Sequence, residues 1–284
     1  MRDSRPSLVI IAHGSRSDGW TQLVESFVRD VRGYPGVADA FGSVHASYIE
    51  HSQPRVAPTV RLAFESGARE VLVLPLFLTH SVHAAEDVPA ILGLPVPDHI
   101  RQRLAAEGHD MLAPGLPLRI LDFDGKTDAL VSNVIARVSI GQPPRSSEAV
   151  ILCGYGSTLY HERWENLMGA LRLSLMEKGY GYVGRAYVGH SVSNSSDPTE
   201  EAILKAASMA GIDTVHVVPL LLSESGLQHG SIAQACARVQ TETEFEVRYK
   251  ADAILPDQRL VSRIAGLALQ AIGVFATANS DALA

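Results

Sequence analysis

The residues best suited to chemistry stand directly after apolar runs. His13 follows Leu8–Ala12 in the segment A-H-G-S-R, and the next residue, Gly14, lets the backbone turn close to a ligand. Glu50 closes a second run in S-Y-I-E-H-S-Q-P. A third run, V-L-V-L-P, leads through L-F-L-T-H-S-V-H-A-A-E-D, so that His80 and His83 lie three apart beside Glu86 and Asp87. Imidazole and carboxylate both ligate divalent metals, and imidazole exchanges protons near neutral pH. A single strand-end histidine is ordinary, and polar residues near 80–87 would equally cap a helix. Histidines supplied after two independent runs favour the metal reading. His51, next to Glu50, is expected to point away from the site if Glu50 faces it, because side chains alternate along extended chain.

The elements that must position these residues occur twice. L-V-I-I-A-H-G-S, residues 8–15, parallels A-V-I-L-C-G-Y-G-S, residues 149–157, and V-L-V-L-P-L-F-L parallels V-H-V-V-P-L-L-L. Pro75 and Pro219 lie 144 positions apart, as do Pro54 and Pro198, while Gly14 and Gly156 lie 142 apart. Q-P-P-R-S-S, residues 142–147, reads as the linker. Within the first half, strands are predicted near 8–12, 42–49, 71–76 and 118–122. Helices are predicted near 19–33, 54–67, 84–91, 98–107 and 126–138. Continuous apolar runs alternating with helices imply parallel sheets covered on both faces. The expected fold is therefore α/β: two tandem doubly wound, Rossmann-like domains, 1–141 and 142–284, facing a central cleft at their strand C-termini.

Composition removes other classes. With 284 residues, 46% hydrophobic and 19% charged, the chain can bury a full core without staples. Twenty-four Lys and Arg against 31 Asp and Glu give a net charge of −7, without the basic excess of a nucleic-acid binder. Cys153 and Cys236 cannot form a disulfide framework or a four-thiolate metal site. The N-terminal apolar run is too short for a secretory signal, and the uncharged stretch 264–280 is too short and mixed to span a bilayer. A cytoplasmic protein with no membrane or nucleic-acid partner is expected.

Three lookalike motifs fail on position. Gly125-Lys126-Thr127 lacks the upstream glycine of a phosphate loop. Leu121-Asp122-Phe123-Asp124-Gly125 resembles a phosphatase aspartate motif but carries Lys126 where Thr or Val belongs. Gly154-Tyr155-Gly156-Ser157 lacks the order of a nucleophile elbow.

The segments A-H-G-S-R, Y-I-E-H-S-Q-P, V-L-P-L-F-L-T-H-S-V-H-A-A-E-D-V-P and A-P-G-L-P-L, in that order across residues 8–122, resemble the CbiX-type sirohydrochlorin chelatases. The repeat resembles the family's long, two-copy form. The resemblance implies ATP-independent insertion of Co²⁺ or Fe²⁺ into sirohydrochlorin. No tightly bound cofactor is implied, since the divalent metal is itself a substrate. It places His13 and His83 as catalytic histidines with Glu50 as the accompanying carboxylate, and these three with His80 as the metal-facing set. Ser15, Arg16, Ser157, Ser223 and Ser225 are the expected contacts to the acidic macrocycle, with Arg101 and Arg103 weaker. In the second half Tyr155 replaces the His13 equivalent and Leu227 the His83 equivalent, while His190 and His229 fall off register. One complete site per chain, in a monomer or weak homodimer, is expected. The competing reading is a non-catalytic tetrapyrrole or metal carrier of the same fold.

Overall fold

The computed structural model describes residues 4–79, 81–123, 128–139, 142–189, 197–223 and 227–273. Its first sheet contains four parallel strands: β1 (Ser7–Ala12), β2 (Ser43–Tyr48), β3 (Val71–Pro75) and β4 (Leu118–Ile120), in spatial order β2-β1-β3-β4. Between them run α1 (Asp18–Gly33), α2 (Val37–Ala40), α3 (Val56–Glu65), a π-helical turn (His83–Asp87), α4 (Val88–Ile91) and α5 (Asp98–Ala106). β1 and β3 are buried along their whole length, which is why they read as unbroken apolar runs. One face of the sheet packs Val9, Ile11 and Val73 on α3, α4 and α5 through Val56, Val60, Ile91 and Leu104.

After α6 (Asp128–Ser139) the pattern repeats. The second sheet holds β5 (Glu148–Gly154), β6 (Tyr182–Tyr187), β7 (Thr214–Leu220) and β8 (Glu246–Tyr249), ordered β6-β5-β7-β8 and again all parallel. Its helices are α7 (His161–Glu177), α8 (Asp197–Ala207) and α9 (Leu227–Glu242), and α10 (Gln258–Ala271) closes the described chain. Both sheets therefore have the expected doubly wound parallel architecture. Among the described residues no helix is long and apolar enough to cross a membrane.

The compact units do not follow the 141/142 repeat boundary. One unit gathers residues 1–78, 82–123 and 258–284, and the other gathers 79–81 and 124–257. α10 packs on α1 and α2, where Tyr34 meets Ser262 through their hydroxyls at 3.1 Å. Its apolar stripe, Leu260, Val261, Ile264 and Leu269, is buried, worth roughly 1.5–3 kcal/mol per side chain before entropy is charged. α6 instead packs on β7 and α7. There Arg137 donates to Asp252 Oδ1 at 2.8 Å and to the Pro219 carbonyl at 2.9 Å, and Asn133 donates to the Ile254 carbonyl at 3.2 Å. Each repeat's last helix thus counts in the unit built around the other repeat's sheet.

Candidate functional site

The switch point of the first sheet lies between β1 and β3, where chain connections leave in opposite directions. Such a crevice at the strand C-termini is the usual ligand site of doubly wound folds. β1 delivers His13 there, and the end of β2 delivers Glu50. The two loops are laced together: Ile49 N–H donates to the Ala12 carbonyl at 3.1 Å and Glu50 N–H to the His13 carbonyl at 2.9 Å. Gly14 has φ of +100°, and a Cβ on it would sit 1.7 Å from the Glu50 carbonyl oxygen. Only glycine allows this approach.

His83 arrives from the segment after β3, at the start of the π turn. His13 Nε2 lies 3.1 Å from His83 Nε2 and 3.1 Å from Glu50 Oε1. The opposite ring nitrogens fix the protons. His13 Nδ1 lies 3.0 Å from the Gly14 carbonyl, and His83 Nδ1 lies 2.7 Å from Asp87 Oδ2. A carbonyl and a carboxylate can only accept, so both rings in their neutral form carry hydrogen on Nδ1. Two Nε2 lone pairs and a carboxylate oxygen then face one another with no hydrogen between them. That arrangement is satisfied by a cation, either a shared proton or a metal ion. Two nitrogens bound to one ion at about 2.1 Å stand roughly 3.0–3.4 Å apart, which is the spacing seen here. Among the described residues no set of three or more His, Cys, Asp and Glu side chains forms a ready metal cage. The site is a two-imidazole opening with a carboxylate beside it, suited to holding an ion briefly.

Burial pulls the His13 imidazole below its ordinary value of 6.5; the His83 and His51 rings push the same way, while the Gly14 carbonyl and Glu50 oppose. Protonation of His13 is therefore harder than that of a free imidazole. Asp87 is almost fully buried, with its side chain 3% exposed. Burial would raise its carboxyl, but hydrogen bonds from His83 and Arg103 outweigh that and hold it below the usual carboxylate range. Arg103, on α5, grips the second Asp87 oxygen. From sequence, Asp87 is a carboxylate of a candidate metal cluster with His80 and His83, and Arg103 a weaker substrate contact. Their placement makes Asp87 the orienter of His83 and Arg103 the anchor of Asp87. The i, i+4 spacing of His83 and Asp87 was the available signal.

His51 departs from the alternation expected of it. Its backbone is left-handed, with φ of +62°, and the side chain returns so that Nε2 lies 3.2 Å from Glu50 Oε1. His80 lies outside the described residues, as do Ser225, His190 and residues 124–127. Ser15 and Ser52 are tied together: Ser15 N–H donates to Ser52 Oγ at 3.0 Å, and Ser52 Oγ donates to the Ser15 carbonyl at 2.9 Å. Arg16 is exposed and lines a polar pocket of about 350 Å³ with Ser15, Thr21, Gln22, His51 and Gln53. Arg101 pairs with Asp98 on its own helix at 2.6 Å.

Among its described residues the second unit repeats the backbone with different side chains. Val188 N–H donates to the Gly154 carbonyl at 3.0 Å and Gly189 N–H to the Tyr155 carbonyl at 2.7 Å. These are the bonds that Ile49 and Glu50 make in the first unit. Tyr155 thus stands where His13 does, and Gly189 where Glu50 does. Gly156 keeps a positive φ of 78°. His229 is engaged at both nitrogens, with the Ser223 carbonyl at 2.9 Å and the Tyr249 hydroxyl at 3.0 Å. Ser157 is buried and accepts from Tyr160 N–H at 3.2 Å, a turn-closing role.

Residues 7–139 match the family model CbiX. The sirohydrochlorin cobaltochelatase of Methanocaldococcus jannaschii is 32% identical over 93 residues, which are 33% of this chain and 62% of that protein. That of Methanopyrus kandleri is 35% identical over 88 residues, 31% of this chain and 59% of that protein. The match thus spans less than two thirds of these relatives' own length. The structure of SirB from Bacillus subtilis with Fe3+ superimposes with a TM-score of 0.71 at 18% identity, covering 95% of this chain and 98% of that one. At that identity it establishes the shared fold.

Proposed function

We propose, from the premise that residues 7–139 belong to the CbiX family, that this protein inserts a divalent metal, Co²⁺ or Fe²⁺, into sirohydrochlorin. The observation that carries the reading is the 3.1 Å approach of two Nε2 lone pairs whose outer nitrogens are both committed as donors. Insertion exchanges two pyrrole N–H protons for one M²⁺. His13 and His83 hold the ion against one face of the macrocycle. Glu50, 3.1 Å from His13 Nε2, adds charge that favours the cation and accepts a departing proton. A two-imidazole site releases the ion readily, where a closed four-ligand site would retain it. His80, in the same segment as His83, is an additional candidate for the incoming ion.

Sirohydrochlorin carries many carboxylates, and the chain is acidic overall, so binding requires local donors. Arg16 and Ser15 beside the His13 turn supply them in this reading, with Ser157, Ser223 and Ser225 as further candidates. No step uses ATP. Among the described residues of 142–284 this reading assigns no second centre, because Tyr155 and Gly189 stand in the positions of His13 and Glu50.

The test mixes the protein with Co²⁺ and sirohydrochlorin under anaerobic, reducing conditions and follows the tetrapyrrole absorbance. The expected result is insertion faster than the spontaneous rate, reduced at least tenfold in His13→Ala and in His83→Ala. Binding of sirohydrochlorin with no acceleration would make the protein a carrier instead.

A further inference from the structure

We propose that His51 is a positioning residue for the Glu50 carboxylate: its Nε2–H donates to Glu50 Oε1 and holds that oxygen against His13 Nε2. The inference rests on the reading of His13, Glu50 and His83 as the metal-insertion centre. Glu50 Oε1 lies 3.2 Å from His51 Nε2 and 3.1 Å from His13 Nε2, so one oxygen is shared by two imidazoles. With His13 Nε2 unprotonated, Glu50 Oε1 needs a donor to keep it facing that lone pair. His51 provides it.

The backbone argues that this contact is what the side chain is for. His51 is the one non-glycine residue with positive φ among those described. A left-handed residue with a Cβ costs about 1–2 kcal/mol and persists where its surroundings over-determine it. Here they do. Glu50 N–H is bound to the His13 carbonyl at 2.9 Å, Ser52 N–H to the Glu50 carbonyl at 2.7 Å, and Tyr48 N–H to the Pro54 carbonyl at 2.9 Å. Packing does not explain a histidine there, because its side chain is 37% exposed and borders the polar pocket of Arg16 and Gln22. Glycine would occupy the turn without strain. What histidine adds is the hydrogen bond to Glu50.

The experiment compares the wild-type protein with His51→Gly, His51→Gln, Glu50→Gln and the double variant His51→Gly with Glu50→Gln, each full length. Initial rates of Co²⁺ insertion into sirohydrochlorin and thermal midpoints are measured. His51→Gly is expected to melt at or above the wild-type temperature while kcat falls about tenfold and the KM for sirohydrochlorin stays within twofold. His51→Gln, which keeps an N–H donor at similar reach, recovers most of the loss. In the Glu50→Gln background, His51→Gly adds no further loss, because its effect runs through that carboxylate. A kcat for His51→Gly within twofold of wild type overturns the proposal, and so does full additivity with Glu50→Gln. If the wild-type protein does not accelerate insertion, the chelatase reading itself falls. A titration with Co²⁺ alone, followed by its d–d absorption, then decides His51: spectra altered alike in His51→Gly and Glu50→Gln support positioning, and an unaltered His51→Gly spectrum overturns it.

Discussion

His83 and Asp87 are joined across one π-helical turn by a 2.7 Å hydrogen bond from Nδ1–H to Oδ2. That bond turns the His83 Nε2 lone pair toward His13 and fixes the tautomer that can ligate a metal. A π-helical turn is rare and gathers at functional sites. Here it carries His83 at its first residue and Asp87 at its last, and Arg103 holds the other Asp87 oxygen. Partners of this kind behind a ligating histidine typically account for 10–100-fold in metal affinity or activity.

Asp87→Asn is therefore expected to lower the metal-insertion rate by about 10–100-fold with the fold intact by circular dichroism. The amide can present N–H to Nδ1 and flip the tautomer, which places hydrogen on Nε2. A variant within twofold of wild type would show that Asp87 does not govern His83.

With His13 in its proposed role, the acid limb of activity should follow from it. Its protonation is shifted below the ordinary 6.5, chiefly by burial, so the neutral ring that is proposed to hold the ion persists to lower pH than a free imidazole. The rate is expected to hold at pH 6.5 and to fall only below it. A decline centred well above pH 6.5 would contradict this placement of His13.

Stability should respond to pH in the same direction. His13, His45, His109 and His216 are all shifted below 6.5, with burial the leading cause in each. The unfolded chain then binds more protons than the folded one between the lowered values and 6.5. Stability from these groups is present above pH 6.5 and is lost as pH falls below it. The paired carboxylates Asp87, Asp110 and Glu165, held below their ordinary values, add a second loss only at more acidic pH. Thermal midpoints that stay flat from pH 7 to 5 would refute the histidine part.

Gly14→Ala tests the contact between the two loops. The residue has φ of +100°, and its Cβ would overlap the Glu50 carbonyl oxygen at 1.7 Å. We expect a destabilisation of at least about 2 kcal/mol, together with loss of insertion activity, because the loops carrying His13 and Glu50 must separate. A urea midpoint equal to wild type would show that the loops close differently.

Arg137→Met tests where α6 belongs. Arg137 is 10% exposed and binds Asp252 and the Pro219 carbonyl. Removing it leaves a nearly buried carboxylate facing only the exposed Lys250 ammonium at 3.9 Å, a loss approaching the about 3–5 kcal/mol of a broken buried pair. The double variant Arg137→Met with Asp252→Leu should recover part of that loss. A near-neutral single variant would mean that α6 is not anchored there.

Much of this molecule could be read along the chain. Runs such as Leu8–Ala12 and Val71–Leu74 mark parallel strands because burial on both faces leaves no room for polar alternation. The duplicated prolines and glycines reveal the repeat because each punctuates the same turn in both copies. His13, Glu50 and His83 stand out because strand ends of such sheets converge, whatever the sequence separation. Other features depend on which surfaces meet in space. An apolar stripe records that α6 and α10 are buried, but not on which sheet, and each packs away from its own repeat's sheet. Alternation assumes extended backbone, so it misplaced His51, whose positive φ is imposed by hydrogen bonds from neighbouring loops. The tautomers of His13 and His83 hang on the Gly14 carbonyl and the Asp87 carboxylate. Asp87 in turn stays ionised in the interior because His83 and Arg103 are folded against it and both donate to it, and a buried charge is tolerated only when its partners are in place.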